Sequence, residues 1–152
     1  MKYKYYKKQL QISRLGYGLA KLPLKENNEL DEKTSIKLIK IAIEKGINFF
    51  DTAYTYLNGK SEIVLGKALE GVNREKIYIS TKAPVWLYKD KNDFYKILYE
   101  QLERLNTDYI DFYLIHGINR DTWNLMNKYE IMDENEKIKV FMNNNFIPKV
   151  AV

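Results

Sequence analysis

The chain has 152 residues, of which 45% are hydrophobic and 30% charged, enough apolar side chain for one globular core and too much for intrinsic disorder. It contains no cysteine and one histidine, which excludes a disulfide scaffold, a thiol nucleophile, an iron–sulfur site and cysteine-ligated zinc, and argues against a histidine-rich metal site. The net charge of +5 comes from lysines spread along the chain, apart from Lys2, Lys4, Lys7 and Lys8. That pattern reads as a solvated surface, not as a nucleic-acid or membrane footprint.

No run reaches the roughly 18 apolar residues of a membrane span. The basic N-terminus lacks the apolar stretch of a signal peptide, so a cytoplasmic address is expected.

In chain order, residues 1–13 read as short, polar, β-prone pieces. Leu15-Gly-Tyr-Gly-Leu-Ala20 suggests a first buried strand and its loop. Lys21 to Leu30 is loop, broken by Pro23 and the pair Asn27-Asn28. Asp31 is placed to cap a helix through Lys45, with Ile36, Ile39 and Ile43 at helical spacing and Gly46 where the chain must reverse. Ile47-Asn-Phe-Phe50 predicts a short strand ending at Asp51. Gly59-Lys-Ser61 opens a helix to Leu69, with Ser61 as cap and Gly71 as stop. Ile77 to Thr81 reads as a strand with Lys82 at its end, and Asp90 caps a helix carrying Phe94, Leu98, Leu102 and Leu105. Tyr109 to Ile115 has the strongest strand pattern, ended by His116, and a further helix is expected over Asp121 to Tyr129.

Strands alternating with helices imply βαβ units and a parallel sheet, of about four β/α units here. Two architectures fit: a doubly wound open sheet, or part of a (β/α)₈ barrel. A complete barrel needs upwards of about 200 residues.

Parallel α/β folds gather their chemistry at the C-terminal ends of strands. Those ends supply Asp51, Lys82 and His116, and Tyr56 lies five residues past Asp51. Singly, each has an ordinary reading: a loop cap, a surface lysine, a structural histidine, one of thirteen tyrosines. At successive strand ends, an acid, a cation, an imidazole and a phenol converge on one mouth. A phenol ordinarily ionises near pH ~10. A neighbouring ammonium favours the phenolate, and a carboxylate holds the ammonium in place. An imidazole beside them can orient a carbonyl oxygen. Such a set suits protonation of an alkoxide as hydride arrives from a cofactor. Gly16-Tyr-Gly18 is followed by Lys21 where a dinucleotide fingerprint wants Gly or Ala, and neither a Walker loop nor a nucleophile elbow is present.

These motifs resemble the aldo-keto reductases. The similarity runs through Leu15-Gly-Tyr-Gly18, Gly46-Ile-Asn-Phe-Phe-Asp-Thr-Ala53, Tyr56, Gly59-Lys-Ser-Glu62, Leu65-Gly66, Ser80-Thr-Lys82 and Leu105-Asn-Thr-Asp-Tyr-Ile-Asp-Phe-Tyr-Leu-Ile-His116, in order and over about residues 10–139. The resemblance implies a (β/α)₈ TIM-barrel fold and reduction of an aldehyde or ketone to an alcohol with NADPH (or NADH), without a metal. It maps the catalytic set onto Asp51, Tyr56, Lys82 and His116, with Tyr56 as proton donor. It places Gly18, Leu19, Ala20 and Asp51 at the cofactor, and Trp86 with His116 at the substrate pocket; Tyr54 reads as a core or rim aromatic. His116-Gly-Ile-Asn-Arg-Asp-Thr-Trp123 resembles a bacterial branch that often carries a C-terminal iron–sulfur segment, which a chain without cysteine lacks.

Residues 1–139 therefore read as an N-terminal half-barrel and 140–152 as a divergent tail, since no recognisable fifth strand follows Lys139. Three readings compete. The chain is an active reductase, with two half-barrels pairing; or a catalytically incompetent remnant or interaction module; or one half of a split enzyme, completed by a complementing C-terminal half.

Overall fold

The computed structural model describes residues 1–6 and 10–131. Within them the chain alternates between strand and helix as its periodicities demand. The first two strands, β1 (Tyr3–Tyr6) and β2 (Leu10–Ser13), pair antiparallel, with Tyr3 opposite Ser13. Four parallel strands follow, β3 (Tyr17–Gly18), β4 (Phe49–Asp51), β5 (Tyr78–Ala83) and β6 (Phe112–Ile115), adjacent in sequence order. The helices α1 (Glu32–Glu44), α2 (Lys60–Leu69) and α3 (Asn92–Leu105) connect them, and α4 (Arg120–Lys128) leaves the last. Parallel neighbours joined by helical crossovers in strict sequence order are the repeating unit of a β/α barrel. The expected boundary at residue 139 and the tail 140–152 lie outside the described residues.

Side chains alternate across each strand. Phe50, Ile79, Tyr113 and Ile115 enter the core with Ile39 and Ala42 of α1, Leu65 and Ala68 of α2, and Leu98 and Leu105 of α3. Phe49, Tyr78, Phe112 and Leu114 take the opposite face and are half-buried there, with the Phe49 and Phe112 rings 5.5 Å apart.

Caps set the helix ends. Asp31 accepts from the Thr34 amide, opening α1 as its sequence predicts. At the other end Gly46 has a φ of 86°, its amide donates to the Ile43 carbonyl and that of Ile47 to Ala42. This left-handed reversal is the reason for glycine there. Asn119 and Thr122 form a reciprocal capping box at the start of α4. Helices α2 and α3 meet at Gly66, where an added Cβ would lie 2.6 Å from the Arg104 carbonyl oxygen.

Several expectations are corrected. Leu15 is 58% exposed, because the first parallel strand is only Tyr17–Gly18. Ser61 is no cap: Gly59 precedes α2 in a left-handed conformation, and the buried Ser61 hydroxyl bonds the Leu19 carbonyl and the Thr52 hydroxyl. The strand expected from Tyr109 begins at Phe112, because Arg74 takes the Tyr109 carbonyl and the Asp111 carboxylate instead. Among the described residues, no helix is long and apolar enough to cross a membrane.

The two ends of the sheet differ in chemistry. At the N-terminal end of β4, Asn48 accepts from the Ser13 amide and donates to the Gln11 carbonyl, docking the hairpin. Near the start of β5 and β6, Arg74 bonds the Ile77 and Tyr109 carbonyls, the Thr107 hydroxyl and Asp111, whose carboxylate also accepts from the Ile79 amide. The C-terminal ends carry the acid, the ammonium and the imidazole.

Candidate active site

Asp51 is the last residue of β4 and stands level with Ser80 of β5, so Lys82, two residues on, shares its face. The Lys82 ammonium donates to Asp51 Oδ1 at 2.8 Å and to the Thr52 carbonyl at 2.6 Å. The Ser80 hydroxyl donates to Asp51 Oδ2 at 3.0 Å. Both carboxylate oxygens are thereby engaged, and the ammonium is fixed from two sides. The Lys82 side chain is 13% exposed and that of Asp51 36%, which weakens solvent screening between them without sealing the mouth.

Tyr56 follows β4 in a short turn, Tyr56–Gly59, and its ring lies under the ammonium, with Lys82 Nζ 4.7 Å from the ring centroid. His116 continues the ladder beyond β6, its amide bonding the Ala83 carbonyl, and its ring stands edge-on to Tyr56 at 5.6 Å. Burial and the Lys82 charge hold the imidazole below its ordinary value of 6.5, against a smaller opposing pull from Asp51. Near neutral pH it is an uncharged ring. Its Nδ1 is buried and has no hydrogen-bond partner among the described residues. Trp86, 42% exposed, packs 5.0 Å from the His116 ring and walls one side of the mouth.

The three residues expected at strand ends and Tyr56 thus meet at one place, with Trp86 beside them. Of the three residues assigned to the cofactor with Asp51, Gly18 and Ala20 are exposed. Leu19 is fully buried, its amide donating to the Asp51 carbonyl and its own carbonyl accepting from Ser61. Gly18 stands level with Asp51, and a Cβ there would meet nothing within 4 Å. The open space over Gly18, level with Asp51 and its bound ammonium, leaves room for a planar ring such as a nicotinamide. Tyr54 is half-buried against the core, its hydroxyl bonded to Glu100 and its ring beneath Arg104.

Sequence reasoning missed three contributors. Thr52 acts through its carbonyl, which no side-chain pattern reveals. Ser80 was legible, since the period of two along Ser80-Thr-Lys82 puts it on the Lys82 face. Glu62, quoted only as part of a motif, is fully buried and accepts from Thr81, Gln101 and Arg104.

A parallel β/α sheet whose strands run in sequence order, with polar groups gathered at their C-terminal ends, is the architecture of a (β/α)₈-barrel protein. The chain belongs to the aldo/keto reductase family, whose family model matches residues 14–141. It is similar to the uncharacterized oxidoreductase YrpG of Bacillus subtilis (strain 168), 34% identical over 90% of this chain and 47% of that protein. Among solved structures it is similar to the thermostable aldo-keto reductase Tm1743 in complex with the inhibitor epalrestat, with a TM-score of 0.67 and 30% identity over 84% of this chain and 49% of that one. It is also similar to an aldo-keto reductase of Klebsiella pneumoniae in complex with NADPH, with a TM-score of 0.63 and 26% identity over 82% of this chain and 44% of that one. The chain spans no more than about half the length of these relatives.

Proposed function

We propose that this chain carries the reducing centre of an NADPH-dependent reductase that converts an aldehyde or ketone to an alcohol, with Tyr56 as proton donor. The observation that carries the reading is the Lys82 ammonium, pinned by Asp51 and the Thr52 carbonyl and set over the Tyr56 ring. A surface lysine has no need of two buried-side acceptors. One that must stand beside a phenol does.

The chemistry that a bound NADPH supplies is the hydride, which no side chain can furnish. Gly18, Ala20 and Asp51 border the space where its nicotinamide would lie. The remaining work falls to the chain. Neutral His116 offers one N–H to the carbonyl oxygen and orients it toward Tyr56. The Tyr56 hydroxyl gives its proton to that oxygen as negative charge grows there. The phenolate left behind lies beside the Lys82 ammonium, which favours it electrostatically. Asp51 holds that ammonium in place, and Trp86 offers an apolar wall to the rest of the substrate. The proton on Tyr56 is restored from solvent through the partly open mouth.

The test begins with NADPH titrated against the purified chain by fluorescence, with its mass in solution measured alongside. Micromolar binding followed by NADPH-dependent reduction of small aldehydes supports the reading. Within that assay Tyr56→Phe should lower kcat by about 10²- to 10⁴-fold, the range for a lost general acid. Undiminished turnover in Tyr56→Phe would sink the assignment of the proton donor.

A further inference from the structure

Beside the site lies a second, partly buried polar cluster that touches none of the reacting groups. It centres on Arg104, in the last turn of α3. Its guanidinium stacks 4.1 Å from the Tyr54 ring centroid, and Nη1 donates to the Tyr54 carbonyl at 3.1 Å and to Glu62 Oε2 at 3.4 Å. Nη2 donates to Glu100, whose other oxygen accepts from the Tyr54 hydroxyl at 2.9 Å. A Cβ added to Gly59 would lie 3.2 Å from Nη1. One guanidinium therefore holds the loop by the Tyr54 carbonyl on one side of Tyr56 and packs beneath Gly59 on the other.

That loop needs an external grip. Leu57, Asn58 and Gly59 follow Tyr56 with φ values of 53°, 56° and 83°. Consecutive left-handed residues, one of them a leucine, persist only where their surroundings over-determine them. The other arm of the cluster reaches the strand that bears Lys82. Glu62 Oε1 accepts from the Thr81 hydroxyl and from Gln101 Nε2, both at 2.6 Å. Gln101 Nε2 also reaches the Lys82 carbonyl at 3.3 Å, and its oxygen accepts from the Tyr113 hydroxyl at 2.7 Å. The bonds of this cluster thus fall on the neighbours of Tyr56 and of Lys82. Arg74, by contrast, bonds groups at the other end of the sheet only.

We infer that Arg104, anchored by Glu62 and Glu100 and linked through Gln101 to the end of β5, is a positioning residue that sets the Tyr56 phenol against the Lys82 ammonium. The inference rests on the catalytic reading above for its consequence in turnover, and on geometry for the placement itself.

The test uses the chain labelled at tyrosine ring carbons, with the Tyr56 resonance assigned by its loss in Tyr56→Phe. Arg104→Met and Arg74→Met are compared at equal intervals below their own Tm. Expected is a shifted and broadened Tyr56 resonance in Arg104→Met and an unmoved one in Arg74→Met, with Arg104→Lys between. In carbonyl reduction, Arg104→Met should lose on the order of 10- to 100-fold in kcat with KM changing less than about threefold, as misplacement of a reacting group requires. A Tyr56 resonance disturbed equally by both arginine variants would overturn the inference, for then Arg104 only holds the fold. Should Arg104→Met fail to fold, Arg104→Lys and Tyr54→Phe, which removes one hydroxyl, decide by the same comparison with Arg74→Met. The resonance needs neither cofactor nor turnover, so failure of the catalytic reading, seen as an active Tyr56→Phe, is told apart from failure of the placement.

Discussion

At the residue scale the site is a set of dependent charges. The Lys82 ammonium sits where it does because Asp51 and a backbone carbonyl hold it, and it in turn disfavours a second positive charge on His116. The sign of the His116 effect follows directly. Its folded value lies below 6.5, so the neutral ring is favoured by folding; the resulting stability is present above 6.5 and lost as pH falls through the folded value. We expect the imidazole of the intact chain to titrate below 6.5 by NMR. Lys82→Met should raise that midpoint by removing a positive neighbour. A midpoint that stays put in Lys82→Met would show burial to be the whole cause. The same substitution should cut carbonyl reduction steeply, since the phenolate would lose its counter-charge.

At the scale of elements, what could be read depended on whether polarity and position agreed. Asp51, Lys82 and His116 were legible because a polar residue ending an apolar strand stands out. Helix α3 hid its contribution. Its buried face is Phe94, Ile97, Leu98, Gln101 and Leu105, and a polar Gln101 inside that stripe looks like a boundary of the face when it is part of it. Arg104 reads as one more exposed charge until its partners are seen. The turn after Tyr56 was equally opaque, since nothing in Leu57-Asn58 announces two left-handed residues. Close helix packing was readable only in part: Gly66 was noted within a motif, but not that α3 backbone fills the space beside it. Gly66→Ala places a methyl group against that backbone and should destabilise the fold by about 1–3 kcal/mol, the usual cost of overpacking. Chemical denaturation measures it, and a change below about 0.5 kcal/mol would mean the helices slide apart freely.

Over the whole molecule, two buried acids stand out, one at each end of the sheet. Burial pushes both Glu62 and Asp111 above their ordinary values, despite the opposing charges of Arg104 and Arg74. The folded chain therefore holds these protons more tightly than the unfolded chain. For Glu62 that contribution is complete below the ordinary value of 4.5 and fades as pH rises through its raised folded value. The Tm of the native chain minus that of Glu62→Gln should favour the native chain most near pH 4 and narrow toward pH 8. A difference that widens with pH would mean that the donors around Glu62 outweigh its burial.

The clasp of Arg74 and Asp111 at the far end of β5 and β6 has a consequence for how such a chain diversifies. The side-chain bonds of Arg74 and Asp111 fall at the start of these strands, away from the His116 end, while Trp86, Ile118 and Trp123 stand exposed after β5 and β6. Exchange of those outer side chains leaves both that clasp and the backbone ladder of β5 and β6 in place. Substitution can therefore change the exposed surface beyond the strand ends one residue at a time, on a frame that each change leaves standing.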